Sequence, residues 1–330
     1  MKKSIKIKFV DFFDGFDKER NDIVDILGEH YDVEMSDNPD YLFYSGFGFE
    51  HLKYDCIRIF FTGECIVPNF NECDYAIAFD RLSFGDRYLR LPLYNIFQYK
   101  PEYEKLKNRQ VFTEDDLKAK KGFCSFVVSN CFADDVRAVF YDKLSQYKTV
   151  ASGGRFRNNI GGAVADKKKF QSEYKFAIAF ENTSYDGYCT EKLMEAFAAG
   201  AVPIYWGDPG VIKDFNPKSF INAHDYNSFD EVVERVKEID SDDALYLKMR
   251  NANPLLNNTD SGLAEFLYHI IDQDVEKAKR RPDSIPAKSY EAMLKRHAFF
   301  ESKIYRYYKK MLNQIQRFRT GTLLTRKRSK

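Results

Sequence analysis

One stretch of the sequence, residues 174–207, limits the fold of this chain more than any other. It begins with a continuous apolar run, 176–180, of the kind found in parallel strands that are covered on both faces. A polar segment follows, and then an amphipathic helix that Thr190 is expected to begin and Gly200 to end. The apolar run 201–206 re-enters the sheet. This order of strand, helix and strand predicts a βαβ unit within an α/β fold.

The loop between the first strand and the helix is the best candidate for a binding site. In open parallel sheets, ligands bind outside the carboxyl ends of the strands, which is where this loop is expected to lie. Lys192 falls in the first turn of the helix, beside backbone N–H groups that have no partner within the helix. Asn182, Tyr188 and Glu191 are close to it in sequence. The loop therefore predicts a site for an anionic ligand.

The length of the chain favours two domains. A chain of 330 residues with 44% hydrophobic residues can bury two cores. Strands also alternate with short helices in the N-terminal half, which predicts a second α/β domain. The glycine-rich stretch 152–162 permits close backbone approach and a hinge, so we place the boundary just before it. The predicted divisions are 1–149, 150–298 and a tail, 299–330.

The sequence lacks the motifs of several common sites. It has neither the G-x-G-x-x-G of dinucleotide binding nor the G-x-x-x-x-G-K-[ST] of a Walker loop. Asp272-Gln273-Asp274 matches the D-x-D of some metal sites, but it lies in a predicted helical run, and we interpret it as a solvated helix face. The five histidines and six cysteines show no metal spacing, and the cysteines are interpreted as reduced core residues. No metal site is predicted.

Positively charged side chains are the first candidates for binding an anionic ligand and stabilising its charge. A departing diphosphate needs its charge stabilised, and without a metal that task falls to Arg, Lys and backbone N–H groups. Arg157 and Lys192 can supply two charges, although ordinary surface ion pairs are the alternative for each. Glu191 can accept hydrogen bonds from a ribose, or it can simply favour the helix dipole.

One acid and several aromatic residues complete the candidates. Glu64 follows an apolar strand in the N-terminal half, where a partly desolvated carboxylate facing the cleft between two domains would act as a general base. The alternative is a helix cap or a loop acid. A further group of aromatic side chains could stack on a nucleotide base or cover a phosphate, but such residues are more often core: Tyr185, Tyr188, Tyr205 and Trp206.

Several motifs together resemble the donor-binding signature of the α-1,3-fucosyltransferases. The central ones are Phe176-x-x-x-Phe180-Glu181-Asn182-Thr183, Tyr188-x-Thr190-Glu191-Lys192, Gly200-x-Val202-Pro203-Ile204 and Trp206-Gly207. Others are Phe61–Glu64, Pro68–Phe70, Asp74–Asp80, Arg87–Tyr94 and Lys213–Phe215. The likeness spans most of residues 57–230, and it is strongest to the bacterial enzymes that build Lewis x antigens.

The resemblance implies a fold and a set of roles. It implies the GT-B architecture, in which two Rossmann-like domains face each other across a cleft, with 1–149 on the acceptor side and 150–298 binding GDP-fucose. Glu64 matches the general base. The residues that match the donor-binding set are Arg157, Asn182, Tyr188, Glu191 and Lys192. No cofactor is expected to be required; a divalent metal could stimulate, but no ligand site for one is evident.

The implied function is inverting transfer of L-fucose from GDP-fucose to the 3-hydroxyl of GlcNAc. The acceptor would be a β-galactosyl-GlcNAc glycan of the N-acetyllactosamine type, on cell-surface polysaccharide or lipopolysaccharide. Two alternatives stay open: an enzyme that makes both 1,3 and 1,4 linkages, and a non-catalytic, membrane-associated nucleotide- or glycan-binding protein of the same fold. Glu64 favours the enzyme, because a binding protein has no use for a base.

The C-terminal tail has a different character from the body. Residues 302–330 hold ten Lys or Arg and no acid, against a net charge of +1 for the whole chain. Apolar residues recur at helical spacing among these bases, which predicts an amphipathic helix on an anionic membrane surface rather than a nucleic-acid-binding segment. The sequence shows no leader or membrane span, so a cytoplasmic, peripheral location on the inner face of the bacterial membrane is expected. The apolar residues are Ile304, Tyr308, Met311, Leu312, Ile315 and Phe318.

Overall fold

A computed structural model describes residues 2–129, 133–256 and 261–319 of the chain, without the side chains of 97, 301–306, 309 and 316–319. The contacts of the described residues divide them into two units. The first unit is drawn from residues 1–97 and 260–309, and the second from residues 98–259 and 310–330. Each unit has its own parallel sheet and its own hydrophobic core. The predicted α/β fold class with two domains is therefore confirmed.

Within the described ranges, eleven strands belong to these sheets. They are β1 (Lys3–Val10), β2 (Tyr31–Met35), β3 (Tyr41–Tyr44), β4 (Ile57–Phe61), β5 (Tyr75–Ala78), β6 (Tyr88–Arg90), β7 (Gly122–Phe126), β8 (Val150–Ser152), β9 (Tyr174–Phe180), β10 (Val202–Trp206) and β11 (Ile221–Asn222). The first sheet has the order β2-β1-β3-β4-β5-β6, and the second has the order β11-β10-β9-β7-β8. Every strand pair in both sheets is parallel.

Helices connect and cover the strands. They are α1 (Asp22–His30), α2 (Lys100–Lys107), α3 (Glu114–Lys118), α4 (Val136–Tyr147), α5 (Lys167–Ser172), α6 (Glu191–Ala198), α7 (Phe229–Ser241), α8 (Asp243–Asn251), α9 (Leu263–Asp272), α10 (Val275–Ala278) and α11 (Ile285–Arg319). Short 3-10 turns occur at Glu50–Lys53, Leu93–Asn95, Phe97–Tyr99, Val211–Lys213, Pro217–Ser219 and Ala223–Asp225.

The central strands follow the pattern that their sequence predicts. In β9 the last five residues are all buried, and β10 pairs with it from Val202 to Trp206. The edge strand β2 has only its first residue buried. A strand that is covered on both faces has to be apolar throughout, which explains why the runs at β9 and β10 were the strongest signal in the sequence.

The domain boundary predicted before residue 150 differs from the division in the structure. Strands β7 and β8 pair in the same sheet as β9, so residues 98–149 belong with the second unit and not with the first. The glycine-rich stretch nevertheless has the close backbone approach that was expected. A Cβ at Gly154 would lie 2.0 Å from the carbonyl oxygen of Val128. Glycine at position 154 is therefore explained by the packing of two loops within the second unit.

Three helical segments are set by local contacts. The charged segment 98–121 forms α2 and α3, which bury Leu106 and Leu117. The helical run predicted around Asp272-Gln273-Asp274 is interrupted, because Gln273 has an extended backbone and separates α9 from α10. The first helix begins at Asp22, because the Asn21 side chain caps its backbone.

The C-terminal helix is longer than expected, since α11 begins at Ile285 and not in the tail at 299. Of the apolar side chains predicted for the tail, Tyr308, Met311 and Ile315 are 50%, 49% and 41% exposed, and Leu312 is partly buried. The side chains of Ile304 and Phe318 lie outside the described part of the chain. The basic residues Arg326, Lys327 and Arg328, like Cys131, lie outside the described residues. Within the parts of the chain that the structure describes, no helix has both the length and the hydropathy to cross a membrane.

Candidate functional site

The loop between β9 and α6 lies at the carboxyl edge of the second sheet. Because all strands of this sheet are parallel, the loops that follow β7, β8, β9 and β10 share that edge. The loop ends at Thr190, the N-cap residue of α6, and Gly200 follows the helix with a positive φ of 79°. The helix thus begins and ends where the sequence predicted.

Lys192 is held by a compact set of oxygen atoms. Its Nζ lies 2.9 Å from Thr190 Oγ1, 3.0 Å from Glu181 Oε2 and 3.4 Å from Glu191 Oε1. Burial opposes the charge of this ammonium group, but the carboxylates of Glu181 and Glu191 outweigh that effect and hold its pKa above the ordinary value. Lys192 therefore stays charged at physiological pH and keeps about a sixth of its side chain exposed. The surface ion pair considered as an alternative does not describe it.

Glu181 is a site residue that the sequence reasoning missed. It is fully buried, and its carboxylate accepts hydrogen bonds from Thr190 N at 2.7 Å, Thr190 Oγ1 at 2.6 Å and Lys192 Nζ at 3.0 Å. Burial raises the pKa of Glu181, while Lys192 acts in the opposite direction. The threonine hydroxyl is thereby directed to Glu181 and makes no cap bond to the helix. The signal was present in the sequence, because an acid that ends a buried strand needs a cation.

Gly207 makes room for the Glu181 side chain. It follows β10 with a φ of 154°, and a Cβ at this position would lie 2.3 Å from Glu181 Cγ. Glu181 N also donates to Trp206 O at 2.8 Å, which ties the two strand ends together. Gly207 is thus required because the buried Glu181 side chain occupies the space that a Cβ would need.

Asn182 faces a second buried cation. Its Oδ1 accepts a hydrogen bond from Arg137 Nη1 at 3.0 Å, and its carbonyl oxygen accepts one from Asp134 N at 2.9 Å. Arg137 lies in the first turn of α4 and is only 3% exposed. Sequence reasoning missed this arginine, because a single base inside an amphipathic helix resembles any surface residue. It adds positive charge to the same edge of the sheet.

The two remaining candidates near Lys192, Glu191 and Tyr188, differ in how far their side chains are exposed. Glu191, the first residue of α6, keeps 21% of its side chain exposed. Burial opposes its charge, but Lys192 and Lys167 together hold its pKa below the ordinary value, so it is an anion that can accept hydrogen bonds. Tyr188 is 2% exposed and Tyr205 is fully buried, which makes them core residues rather than a stacking surface. Of the aromatic candidates, Tyr185 is 44% exposed.

Arg157 lies in the loop after β8, two strands from β9 in the second sheet, or about 10 Å at ordinary strand spacing. Its backbone has a positive φ of 54°, and its guanidinium pairs with Asp142 at 2.8 Å, with 46% of the side chain exposed. The structure therefore places Asn182 and Tyr188 in the loop after β9, Glu191 and Lys192 in the first turn of α6, and Arg157 at the same edge of the sheet. The contact of Arg157 is the ordinary surface ion pair that was considered as its alternative.

Glu64 belongs to the first unit. It follows β4, the strand predicted to precede it, and its backbone N–H donates to Thr62 Oγ1 at 3.0 Å. Its side chain is exposed, which corrects the expectation of a partly desolvated carboxylate.

The D-x-D triplet has structural contacts. Asp272 ends α9 and accepts a hydrogen bond from Tyr31 Oη at 2.8 Å, whereas Asp274 caps α10 through Glu276 N. The two carboxylates therefore serve two different elements instead of one solvated helix face. Among the described residues, no group of three His, Cys, Asp or Glu side chains is arranged to hold a metal ion.

Two family models match the sequence. The model described as the alpha-(1,3)-fucosyltransferase FucT N-terminal domain matches residues 7–97, which include Glu64. The model described as the glycosyltransferase family 10 (fucosyltransferase) C-term matches residues 117–251. The second match contains all five residues expected to bind the donor: Arg157, Asn182, Tyr188, Glu191 and Lys192.

Curated relatives are similar over part of their length. The alpha-(1,3)-fucosyltransferase FucT of Helicobacter pylori is 39% identical over 280 residues, which are 74% of this chain and 58% of that protein. The 4-galactosyl-N-acetylglucosaminide 3-alpha-L-fucosyltransferase 9 of Homo sapiens is 34% identical over 140 residues, which are 41% of this chain and 38% of that protein. The chain thus spans less than two thirds of the length of either relative.

Solved structures extend the likeness to the fold. A crystal structure of alpha1,3-fucosyltransferase is 32% identical, with a TM-score of 0.73, and the match covers 86% of this chain and 94% of that one. A crystal structure of alpha1,3-fucosyltransferase with GDP-fucose gives a TM-score of 0.69 at the same identity, and the match covers 93% of it. The GT-B type of fold implied by the resemblance is confirmed. Sequence, family models and fold agree, and the chain belongs to glycosyltransferase family 10, the fucosyltransferases.

Proposed function

We propose that this chain is an inverting α-1,3-fucosyltransferase that uses GDP-fucose as its donor. The observation that carries the proposal is the Lys192 network, in which a buried carboxylate keeps an ammonium group charged at the carboxyl edge of the second sheet. A fixed cation at that edge suits a nucleoside diphosphate. One crystallised relative, a protein 32% identical to this chain, was solved with GDP-fucose, which supports the choice of donor.

The proposed reaction is a single displacement at the anomeric carbon of fucose. The acceptor oxygen attacks from the face opposite the diphosphate, the bond from carbon to phosphate oxygen breaks, and the configuration inverts. Lys192 and Arg157 stabilise the charge that collects on GDP, with Asn182 assisting, and Glu191 accepts hydrogen bonds from the ribose. Glu64 takes the proton of the acceptor hydroxyl. The exposure of its side chain makes this carboxylate accessible to a substrate.

The acceptor in this proposal is the 3-hydroxyl of GlcNAc in β-galactosyl-GlcNAc glycans, as in Lewis x synthesis on cell-surface polysaccharide or lipopolysaccharide. The human relative is named for a galactosyl-N-acetylglucosaminide and for transfer to its 3 position, which supports this choice. An enzyme with both 1,3 and 1,4 linkages is the second candidate within the same chemistry.

Incubation with radiolabelled GDP-fucose and a panel of β-galactosyl-GlcNAc acceptors tests the enzyme directly. We expect label on the 1,3-linked acceptors, a product linkage that nuclear magnetic resonance assigns as α, and release of one GDP for each transfer. Transfer to acceptors that offer only the 4 position would establish the dual-linkage enzyme instead.

The non-catalytic alternative is tested by the same assay and by one variant. The Glu64→Gln variant is expected to lower transfer by about 1000-fold while GDP binding, measured by calorimetry, is unchanged. A protein that binds GDP but transfers fucose to no acceptor of the panel would be the binding protein of the same fold. Loss of GDP binding in the variant would show that Glu64 has a structural role.

We also propose that the C-terminal tail attaches the enzyme to an anionic membrane surface on the cytoplasmic side. The exposed apolar side chains of α11 and the ten bases of residues 302–330 support this proposal. Each base near such a surface adds about 1 kcal/mol of attraction. Attachment there would bring the enzyme close to glycans that are assembled on lipid carriers.

A further inference from the structure

The first unit contains a large open cavity that the donor site does not use. It has a volume of about 1010 Å³ and lies beyond the carboxyl ends of β1, β3 and β4. Its walls come from three places, namely the loop 45–53, the segment 66–69 and the part of α11 near residues 295–299. A cavity at this edge of a parallel sheet is where the fold accommodates ligands.

Aromatic and aliphatic side chains line the cavity and remain open to solvent. Phe47 and Phe49 are 43% and 40% exposed, and Phe299 is 67% exposed. Ile66 and Val67 complete this surface, at 38% and 45%. Clustered exposed apolar groups in a hollow indicate a binding surface. Flat aromatic rings suit the C–H faces of a pyranose, which are apolar, whereas its hydroxyl groups need polar partners.

The floor of the cavity supplies polar groups on a rigid base. His51 lies between two carboxylates, with Nδ1 2.8 Å from Asp11 Oδ2 and Nε2 3.1 Å from Glu72 Oε2. The side chains of Asp11 and His51 are only 5% and 4% exposed. Asp11 also accepts hydrogen bonds from the backbone of Glu50 and His51, at 2.9 Å each, so it holds the loop in place.

Gly48 is required for this arrangement. A Cβ at Gly48 would lie 2.3 Å from Asp11 Oδ1, and Asp11 itself has a positive φ of 58°. Strain of this kind persists only where the surroundings fix the backbone, and it is common at binding sites. The loop that carries Phe47 and Phe49 is therefore preformed rather than adaptable.

The cavity wall is continuous with the proposed general base. Ile66, which lines the cavity, donates its backbone N–H to the carbonyl oxygen of Glu64 at 2.7 Å. The charged and titratable groups around the cavity are of both signs. The acids are Asp11, Glu50 and Glu72, and the bases are His51, Lys53 and Lys295. Such a lining favours an uncharged ligand over an anion or a cation.

We propose that this cavity binds the uncharged saccharide acceptor, with Phe47 and Phe49 packing against its sugar rings. The inference rests on the proposed function, because the Glu64 that adjoins the cavity wall is the base of that reaction. It goes further by naming the surface that selects the acceptor. The nearest aromatic side chains on α11 offer a matched test, since Phe299 lines the cavity and its neighbour Phe300, which is 66% exposed, does not.

The test measures transfer kinetics for Phe49→Ala, Phe299→Ala and Phe300→Ala, with N-acetyllactosamine as the acceptor and circular dichroism to confirm folding. We expect Phe49→Ala to raise the KM for the acceptor by about tenfold and Phe299→Ala by about threefold, with the KM for GDP-fucose unchanged. Phe300→Ala should match the unaltered protein, and Phe49→Trp should restore much of the loss because it returns an aromatic face.

A binding measurement separates this proposal from the proposed function. Saturation-transfer difference nuclear magnetic resonance, with N-acetyllactosamine as the only ligand, should show contact of the disaccharide with the unaltered protein. The signal should be reduced with Phe49→Ala. If fucose is transferred and the acceptor KM is the same in all variants, the cavity proposal is wrong and the enzyme proposal stands. If nothing is transferred but the disaccharide signal is lost in Phe49→Ala, the cavity is a saccharide site and the enzyme proposal fails.

Discussion

Glu181 shows how much one buried side chain can require of its neighbours. Its carboxylate has no exposed surface, so every oxygen lone pair that it directs inward needs a donor. Thr190 supplies two donors and Lys192 a third, and Gly207 leaves space for the side chain to pass. The family match at these positions therefore corresponds to one connected structure and not to separate motifs.

The Glu181→Gln variant should lose both stability and activity. The substitution removes the carboxylate that offsets the burial of the Lys192 ammonium, and breaking such a pair is expected to lower the free energy of unfolding by about 3 kcal/mol. The value of kcat/KM for GDP-fucose should fall by about 100-fold, because the cation proposed to hold the diphosphate is displaced. Urea unfolding and steady-state kinetics measure the two effects.

A control for this variant lies on α6, the helix that carries Lys192. Glu195→Gln removes an ion pair to Lys167, whose Nζ is 2.5 Å from Glu195 Oε2, without touching the loop. It should leave kcat/KM within about twofold of the unaltered protein. A kcat/KM for GDP-fucose that is unchanged in Glu181→Gln would show that Lys192 does not need Glu181 as its partner.

The Gly207→Ala variant should test the same arrangement from the other side. The added methyl would meet Glu181 Cγ at 2.3 Å, and the φ of 154° is unfavourable for any side chain. We expect a loss of about 3 kcal/mol in unfolding free energy together with weaker GDP binding, measured by urea unfolding and calorimetry.

Gly200→Ala is the matched control for Gly207→Ala. It also places a side chain at a positive φ, here 79°, but its nearest neighbour is the flexible end of Arg250 at 3.1 Å. It should cost about 1 kcal/mol and leave GDP binding intact. Equal effects of the two substitutions on GDP binding would contradict the role assigned to Gly207.

At the scale of elements, the loop 45–53 depends on a buried histidine. Burial disfavours the charged form of His51, but its hydrogen bonds to Asp11 and Glu72 outweigh burial and raise its pKa above the ordinary value of 6.5. Its ring also stacks on Tyr44, with the ring centroids 4.1 Å apart. The protonated ring thus links the end of β1 to the segment before β5.

This linkage predicts a pH dependence with a definite sign. A raised pKa in the folded protein means that the stabilisation is fully present below pH 6.5 and is lost as the pH rises through the higher folded value. The unaltered protein should exceed His51→Gln by about 2 kcal/mol in unfolding free energy near pH 5, and the gap should narrow in alkaline buffer. Urea unfolding across the pH range measures it, and a gap independent of pH would contradict the charged state of His51.

The exposed face of α11 carries the membrane prediction. Replacing Tyr308, Met311 and Ile315 together by Ser removes apolar side chains that are 41–50% exposed, so it should change stability little. Binding to vesicles that contain phosphatidylglycerol should fall by about tenfold, because the apolar face no longer enters the interface. Sedimentation of protein with vesicles measures this, with phosphatidylcholine vesicles as the uncharged comparison. Equal binding before and after the substitution would contradict attachment through this face.

At the scale of the whole molecule, the charge for the reaction is assigned to side chains. Lys192 keeps its charge because two carboxylates surround it, and Arg157 contributes a half-exposed guanidinium group at the same edge of the sheet. An excess of chelator should therefore leave the rate of fucose transfer within about twofold, measured before and after dialysis against ethylenediaminetetraacetate. A loss beyond about tenfold that added manganese restores would show that a metal is part of the reaction.

The order of residues along the chain predicts the βαβ unit around residues 174–207, the positions of Thr190 and Gly200 at the ends of α6, and the place of Lys192 in the first turn of that helix. It could do so because strands buried on both faces and helix ends are specified by residues close together in the chain. The three-dimensional packing was needed to establish that residues 98–149 join the second unit, that Glu181 is the partner of Lys192, and that Asp11, His51 and Glu72 support one cavity. Those outcomes depend on contacts between residues far apart in the sequence, and no local pattern specifies which distant partner a buried strand or charge will find.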